Sequence, residues 1–499
     1  MLKKSLTGLA MWFPVVIMIA LLILTTCLLP ESWSSSDAFT IWTMLAVGLG
    51  MIVLIVILTW LFTKLYQWKK GYFYLALSLL ILVPRIIWIA WLPTDAVSDY
   101  YYYNVIASYV ADQNSWSVLF DKGILFYAPY FTHILNFSNV LSVVYKLFGN
   151  SYFVGQLFNI FLTGLTGVLL YITLAKRFSR NVATSAALIF AIWPAYFLYS
   201  TLLGTEPLFL FLFVLSIYLY LKIEENGFSP LWALLLALTL ICMNMIRPLA
   251  AVVLIAFVIT ALIVQKDRRK TLKAYSIVII LFVLFSLGQS TINRLVYHIP
   301  TSNSTLGYSL FVGANEKSGG QWAKEDANQF WKLYNDTSLT NSEVDKELMS
   351  KGITRYKNMA EDGDLVSHMK NKYIHYSDEN YGYNWNVYSQ AGFVWYHSDI
   401  ILMICNVFMY VMLAINFVAA ILALILRKIP SIYLFTLFQV GFTLSGLLVE
   451  VQGRYHIPLI IGYSVLAAWG LNEIRKLCLA FVPKKKKKRQ AILTTPEDV

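Results

Sequence analysis

Long apolar blocks separated by polar segments make up the hydrophobic pattern of this chain. A helix needs about 20 predominantly apolar residues to cross the hydrocarbon core of a membrane. Blocks close to that length recur along the whole sequence, so the pattern predicts an all-α polytopic membrane protein of about twelve spans. The predicted spans are 10–29, 39–63, 72–92, 151–175, 181–199, 207–221, 231–246, 249–264, 275–296, 400–426, 431–449 and 457–471.

The composition agrees with this pattern. The 499 residues are 58% hydrophobic and only 13% charged, whereas about 25% of the residues in soluble domains are charged. The first apolar block is long and is not followed by a small-residue cleavage site, so we expect it to be retained as a span rather than removed as a signal peptide.

The lysine and arginine residues predict the orientation, because cationic residues that flank spans are retained in the cytoplasm. The outer segments 30–37 and 200–206 contain none of them, and the tail carries six consecutive cations at 484–489. Both termini are therefore predicted to be cytoplasmic. This distribution accounts for the net charge of +12 without a nucleic-acid partner, and the basic tail is expected to contact anionic lipid.

Two outer segments, 93–150 and 297–399, are too long to be simple connections. Apolar positions on one helical face of the first predict helices that lie in the membrane interface, and the second predicts a small cap of α or α+β type. The chain then divides into five parts. They are 1–71 with two spans, the transmembrane core 72–296, the cap 297–399, the C-terminal spans 400–475 and the tail 476–499.

Ionisable residues gather at the predicted outer ends of the spans. An ionisable side chain in this position is costly unless it is paired or hydrated, so a functional role is the first hypothesis. A carboxylate there can take a proton from a hydroxyl, and an arginine can hold a phosphate with two hydrogen bonds. The alternative is that the same residues form ion pairs that only join helix ends. They are Asp95, Asp99, Glu206, Arg247, Glu450, Arg454 and His456, with Arg85 deeper in the third span.

The stretch from Arg85 to Tyr102, with Pro93 and Ser98-Asp99 before a tyrosine cluster, resembles the first outer loop of GT-C fold glycosyltransferases that use a polyprenyl-phosphate sugar. Protein O-mannosyltransferases and bacterial aminoarabinose transferases, the family 39-like enzymes, are the relatives it is similar to. Further stretches similar to the bacterial branch extend the resemblance to about residue 475. They are Gly204-Thr205-Glu206-Pro207, Arg247-Pro248, Gly313-Ala314-Asn315 with Gly320-Gln321-Trp322, and Arg454-Tyr455 with Pro458.

The resemblance implies a GT-C bundle that moves a sugar from an undecaprenyl-type phosphate to an acceptor hydroxyl on the outer face, by direct displacement with inversion. The acceptor would be a wall polymer, a glycolipid or a protein. Asp99 matches the family's catalytic aspartate. The family often has a second acid next to it, but Tyr100 follows here, which leaves that role to Glu206, our preference, or to Asp95.

The resemblance also implies a donor site and a sugar site. The residues implied for the donor phosphate are Arg247, Arg454, Arg85, Lys370 and Lys372, and those implied for substrate contacts are Tyr102, Tyr103, Asn315, Trp322 and Tyr455.

No metal or other cofactor is expected, because the six histidines lack ligand spacing and the four cysteines form no CxxC pair. The cysteine-free outer segments and the Lys-, Asn- and Tyr-rich composition indicate the cell membrane of a Gram-positive bacterium. The alternative function is a lipid-linked sugar flippase or secondary transporter. Such proteins bind at the bilayer midplane and show inverted repeats, whereas the polar residues here lie at outer helix ends.

Overall fold

The computed structural model describes residues 41–227, 229–263, 268–302 and 304–481, together with ten single positions between 8 and 23. The described residues form α-helices joined by turns and short loops, with no strand among them. The prediction of an all-α polytopic protein is confirmed. Most of the first predicted span, 10–29, and all of the basic run 484–489 lie outside the described residues.

The first half of the described chain carries helices that correspond to the second through ninth predicted spans, with the helices of the first outer segment between them. They are α1 (Ile41–Trp68), α2 (Lys70–Trp91), α3 (Ser98–Ala111), α4 (Trp116–Asp121), α5 (Thr132–Phe148), α6 (Tyr152–Leu174), α7 (Arg180–Ile192), α8 (Pro194–Tyr199), α9 (Glu206–Asn226), α10 (Pro230–Ile246), α11 (Ala250–Ile263) and α12 (Arg268–Tyr297).

The second half carries the cap and the last three spans. Its helices are α13 (Leu306–Gly313), α14 (Lys324–Tyr334), α15 (Asn341–Asp362), α16 (Leu365–Tyr376), α17 (Tyr381–Tyr388), α18 (Gly392–Tyr396), α19 (Ser398–Ile425), α20 (Ile429–Leu448) and α21 (Leu459–Phe481), with a 3-10 turn at Gly453–His456. Of the described helices, α1, α2, α6, α9, α19, α20 and the Lys273–Tyr297 part of α12 are long and apolar enough to cross a membrane, while α7, α10 and α11 are apolar but shorter.

The span predicted at 181–199 is divided into two helices, α7 and α8. The break is at Trp193, whose φ of −60° and ψ of 111° lie outside the helical range. Pro194 explains the break, because a proline disfavours helical geometry in the residue before it and is well suited to the first position of a new helix. The hydrophobic pattern cannot reveal this break, since both halves are equally apolar.

Small residues bring the central helices together. Gly164 and Gly167 of α6 face the side chains of Leu82 and Ile81 in α2, at distances where a methyl group on either glycine would meet the opposing side chain. Close approach at small residues is the usual way in which membrane helices associate. By contrast, most apolar side chains of α1 are exposed, as expected for a helix that faces lipid.

The two outer segments fold against each other above the spans. In α5, Leu141 and Tyr145 are buried while Leu147 and Phe148 are exposed, which is the two-faced pattern expected of an interfacial helix. The described part of the cap is helical, so the α alternative applies there and not the α+β one. Tyr130 of the first segment joins the cap by donating a hydrogen bond to Asp345 at 2.9 Å.

Candidate functional site

A cavity of about 980 Å³ lies where the first outer segment and the cap meet the start of α9 and the ends of α10 and α20. Five of the ionisable residues selected from the sequence line it together: Asp99, Glu206, Arg247, Glu450 and Arg454. They come from α3, the start of α9, the end of α10, the loop after α20 and the 3-10 turn. The structure therefore gathers into one site charges that are spread over most of the chain.

Asp99 and Arg454 form the first of two ion pairs in the cavity. Arg454 donates from Nη2 to Asp99 Oδ2 at 3.1 Å, although the two residues are 355 positions apart in the chain. Tyr127 donates its hydroxyl to Asp99 Oδ1 at 3.2 Å, and Arg454 also donates from Nε to the side-chain oxygen of Gln452 at 2.9 Å. Asp99 lies in the first turn of α3, and each of its carboxylate oxygens thus accepts a hydrogen bond.

Glu206 and Arg247 form the second pair. Arg247 donates from Nη1 to Glu206 Oε1, and the hydroxyl of Tyr199 donates to Glu206 Oε2. Glu206 is only 2% exposed, and it begins α9 immediately before Pro207. The Arg247 guanidinium lies over the ring of Tyr455 at 5.0 Å. Glu206 is therefore enclosed by partners, whereas the carboxylate of Asp99 remains partly accessible.

Aromatic rings fix the arginine of the first pair. The Arg454 guanidinium lies 4.7 Å from the ring centre of Trp385 and 5.7 Å from that of Tyr455. A cation over an aromatic face is attracted by the ring quadrupole. Tyr455 also meets Arg247, so one aromatic side chain borders both arginines.

The cavity shifts the ionisation of its carboxyl groups in different directions. Burial raises the pKa of Asp99, but the charge of Arg454, the charge that His133 carries at acid pH and the hydrogen bonds from Arg454 and Tyr127 lower it, and the net pKa is below its usual value. Burial raises the pKa of Glu450 above its usual value. Burial also lowers the pKa of His133 to about 4, which leaves its imidazole neutral at pH 7.

Three of the expected substrate contacts line the cavity. Tyr103, Trp322 and Tyr455 do so, with Trp322 at its edge and 56% exposed. Tyr102 lies outside the cavity lining and stacks on Phe126, with the two ring centres 5.8 Å apart. Asn315 instead shapes its own loop, because it donates to Asp326 at 2.7 Å and accepts from the backbone of Ser318.

Arg85 is not at the cavity, and the expectation that it binds phosphate is corrected. Its side chain is fully buried and donates to the Ser200 hydroxyl at 2.7 Å and to the carbonyl oxygens of Ala191 and Ile81 at 3.2 and 3.0 Å. From the helix rise, Arg85 is predicted to lie below the outer surface. The hydrogen bonds that its guanidinium makes there cannot be predicted from the helix rise. Arg85 therefore joins α2 to the region around the break in the fifth span.

Asp95, Lys370 and Lys372 also lie outside the cavity lining. Asp95 is exposed, and its backbone N–H donates to the carbonyl of Ser389. Lys370 is exposed on α16. Lys372 is fully buried and donates to the Tyr356 hydroxyl at 2.8 Å, and burial lowers its pKa to about 7. The expected roles of these residues in catalysis or phosphate binding are not supported by their positions.

The sequence interpretation missed several residues that complete the site, namely Tyr127, His133, Tyr199 and Gln452. Gln452 could have been found from its position beside Arg454, but the others carry no local signal. Among the described residues, no group of three His, Cys, Asp or Glu side chains is placed to hold a metal ion.

Comparison with known protein families gives one match. The sequence model of the family described as dolichyl-phosphate-mannose-protein mannosyltransferase matches residues 135–288. This segment runs from within α5 into α12 and includes the Glu206–Arg247 pair, whereas Asp99 and Arg454 lie outside it. A search of curated proteins finds no match. The family match agrees with the resemblance inferred from the motifs and, together with the apolar helices, supports a multi-pass membrane glycosyltransferase of the GT-C type.

Proposed function

We propose that this protein transfers a sugar from a polyprenyl-phosphate donor to an acceptor hydroxyl at the outer face of the membrane, by direct displacement with inversion. The observation that carries the proposal is the pair of acid–arginine contacts, Asp99–Arg454 and Glu206–Arg247, on one cavity bordered by membrane helices. Such a site can hold a phosphate and accept a proton within the same space. Both are needed when a hydroxyl displaces a sugar phosphate.

Arg247 and Arg454 bind the donor phosphate. Among the described residues, Arg454 uses two N–H groups on Gln452 and Asp99, whereas a guanidinium offers five. Donors therefore remain for a phosphate, which arginine grips with two parallel hydrogen bonds. The stacking on Trp385 and Tyr455 holds the guanidinium plane in place, so less side-chain freedom is lost when the donor binds.

Asp99 is the general base. In the free protein its contact with Arg454 keeps the carboxylate ionised but makes it a weaker proton acceptor. A phosphate that binds Arg454 competes for the guanidinium and strengthens the base. The acceptor oxygen then forms a bond to the anomeric carbon while the bond from that carbon to the phosphate oxygen breaks. The hydroxyl proton passes to Asp99, and the polyprenyl phosphate leaves with the bonding electron pair.

Glu206 has a different role, which changes our preference for it as the second catalytic carboxylate. It is 2% exposed and is bonded to Arg247 and Tyr199, so an acceptor hydroxyl cannot reach it without displacing these partners. Glu206 orients Arg247. No second acid is needed to protonate the leaving group, because the arginines stabilise the departing phosphate.

A reconstituted transfer assay tests this proposal. Purified protein in liposomes is given polyprenyl-phosphate hexoses and pentoses in parallel, with membranes from cells that lack the protein as the acceptor source. We expect Asp99→Asn to lower transfer by about 100-fold or more, the scale of general base catalysis, while the variant still folds. Asp95→Asn is the matched control and should keep near wild-type transfer, because its side chain is exposed outside the cavity.

Two results would contradict the proposal. Full transfer by Asp99→Asn would exclude the base assignment. Movement of the intact donor across the bilayer without its consumption would instead support the flippase or transporter alternative. Comparing wall polymers, glycolipids and glycoproteins of cells with and without the protein then identifies the sugar and the acceptor together.

A further inference from the structure

A carboxylate and an imidazole form a fully buried contact beneath the cavity. Glu379 and His456 are each 1% exposed, and His456 Nε2 lies 2.8 Å from Glu379 Oε1. The other ring nitrogen, Nδ1, is 2.7 Å from the carbonyl oxygen of Tyr376. The second oxygen of Glu379 accepts from the Trp193 indole N–H at 3.0 Å.

Hydrogen-bond chemistry restricts the protons of this group. A carbonyl oxygen can only accept, so His456 Nδ1 must carry a hydrogen. One further hydrogen must lie between Nε2 and Oε1 for that contact to be a hydrogen bond. Every polar atom of the two side chains then has a partner, which is the condition for burying such groups without a large cost.

Glu379 belongs to a segment that is fixed against the broken fifth span. Trp193, its hydrogen-bond donor, is the residue at the break between α7 and α8. The same segment continues into α17, where Gly382 packs so closely on Ala195 that an added Cβ would lie 2.1 Å from its carbonyl oxygen. Asn386 donates to the carbonyl of Leu198 at 2.9 Å. Glu379 is thus held by a rigid part of the bundle.

His456 belongs to the 3-10 turn that carries the phosphate-binding arginine. Gly453 in the same turn approaches the carbonyl oxygen of Asp378, where an added Cβ would lie at 2.6 Å. Between these two anchors lies Arg454, whose contact with Asp99 spans the cavity. The turn has only four residues, so a shift at His456 moves Arg454 with it.

We propose that Glu379 and His456 are positioning residues that join the broken fifth span to the 3-10 turn and hold Arg454 against Asp99. This inference rests on the proposed function, because Arg454 is taken to bind the donor phosphate. Neither residue touches substrate. Their effect on transfer passes through the placement of Arg454.

The first test measures the coupling between Arg454 and Asp99 without any transfer assay. In a double-mutant cycle, the losses in Tm caused by Arg454→Gln and Asp99→Asn are less than additive when the two side chains interact. We expect Glu379→Gln to preserve this coupling, because a glutamine can accept from Trp193 and donate to the Nε2 of a neutral imidazole. The double variant Glu379→Leu/His456→Phe should abolish the coupling. It removes the hydrogen bond between His456 and Glu379 and the one between Trp193 and Glu379, which together join the turn to the span.

The double variant is chosen because replacing a buried polar pair with apolar side chains of similar size often leaves a protein folded. Glu379→Leu alone is the second variant if the double variant does not fold. Coupling that persists in the apolar variant would overturn the inference. An equal loss of the coupling in Glu379→Gln and Glu379→Leu would also overturn it, because the hydrogen bonds of Glu379 would then not be what maintains the coupling.

Transfer kinetics separate this inference from the proposed function. With a polyprenyl-phosphate sugar that the wild-type protein uses, the apolar variant should raise the donor KM about tenfold or more, as expected for a displaced charge-assisted contact, and Glu379→Gln should stay near wild type. An unchanged KM in the apolar variant would overturn the positioning role. If the wild-type protein transfers no sugar, the proposed function fails, while the coupling measured by Tm still decides whether the pair positions Arg454.

Discussion

Asp99 experiences two opposing effects on its pKa. Burial, the larger single effect, raises it, while Arg454, His133 and two hydrogen bonds together lower it below the usual 3.8. The carboxylate is therefore ionised throughout the neutral range. Because the pKa is lower in the folded state, the pairing stabilises the protein above about pH 3.8, and this stabilisation is lost as the pH falls through the folded-state value.

The first prediction concerns the pH dependence of transfer. Removing the Arg454 charge with Arg454→Gln leaves burial as the main effect, so the pKa of Asp99 should rise. We expect the acidic limb of the rate profile to move upward by about one pH unit or more. The rates of the wild-type protein, of Arg454→Gln and of Arg454→Lys are measured between about pH 3 and pH 8. Arg454→Lys keeps the charge and should leave the limb in place, and an unmoved limb in Arg454→Gln would contradict the electrostatic explanation.

The second prediction concerns Arg247, whose replacement should affect stability as well as donor binding. Because Glu206 is 2% exposed, Arg247→Ala leaves a buried carboxylate without its cation. Removing one partner of a buried pair costs about 3–5 kcal/mol, so we expect a lower Tm as well as weaker donor binding. Adding Glu206→Gln to Arg247→Ala should restore much of the Tm but not the binding.

Stability and donor binding are measured on the same detergent-solubilised preparations. A single Arg247→Ala variant with wild-type Tm would mean that Glu206 finds another partner or takes up a proton. In that case the second ion pair would not contribute to stability, and only its role in binding would remain.

At the scale of elements, the short helices α8 and α17 connect the spans to the site. Gly382 of α17 contacts the backbone of Ala195 in α8, and Trp193 before α8 contacts Glu379 before α17. The break in the fifth span thus sets the direction of the Trp193 indole, which donates to Glu379, and the position of the α8 backbone on which Gly382 packs. A continuous helix over 181–199 would direct both differently.

The third prediction tests this contact. Gly382→Ala would bring a methyl group to 2.1 Å from the Ala195 carbonyl oxygen, so α17 must move away from α8. Overpacking of this kind costs about 1–3 kcal/mol, and we expect a lower Tm and slower transfer. Gly392→Ala is the matched control, because an added Cβ there meets nothing within 4 Å. Equal behaviour of the two variants would show that the α8–α17 contact is not needed.

At the scale of the whole molecule, the cavity lies on the face that the positive-inside rule predicts to be outside. Lys122 belongs to the first outer segment, whereas Asn226 ends α9 on the opposite face, close to Lys222 and Glu225. Both are exposed. These two positions therefore report the orientation of the core independently of the amino-terminal residues.

The fourth prediction is a labelling result. In a variant without its four native cysteines, a membrane-impermeant maleimide applied to intact cells should label Lys122→Cys and not Asn226→Cys. Both should react after the cells are lysed, which serves as the control for accessibility. Labelling of Asn226→Cys alone would place the cavity in the cytoplasm and contradict the proposed use of an outer-leaflet donor.

The sequence by itself determined the helical class, the positions of most spans and the set of charges at their predicted outer ends. It could do so because the free energy of placing a helix in lipid is a sum over about 20 consecutive residues, and a charge at the end of an apolar block is visible without knowledge of the rest of the chain. The same local reasoning selected Asp99, Glu206, Arg247 and Arg454.

Only the tertiary structure decided which charges meet. Asp99 pairs with a residue 355 positions away, Arg85 is satisfied by Ser200 and Ala191 inside the bundle, and Glu206 is enclosed rather than free. These outcomes depend on how helices pack and where one of them breaks. Such contacts join distant parts of the chain, and their energies arise from neighbours that no local window of sequence contains.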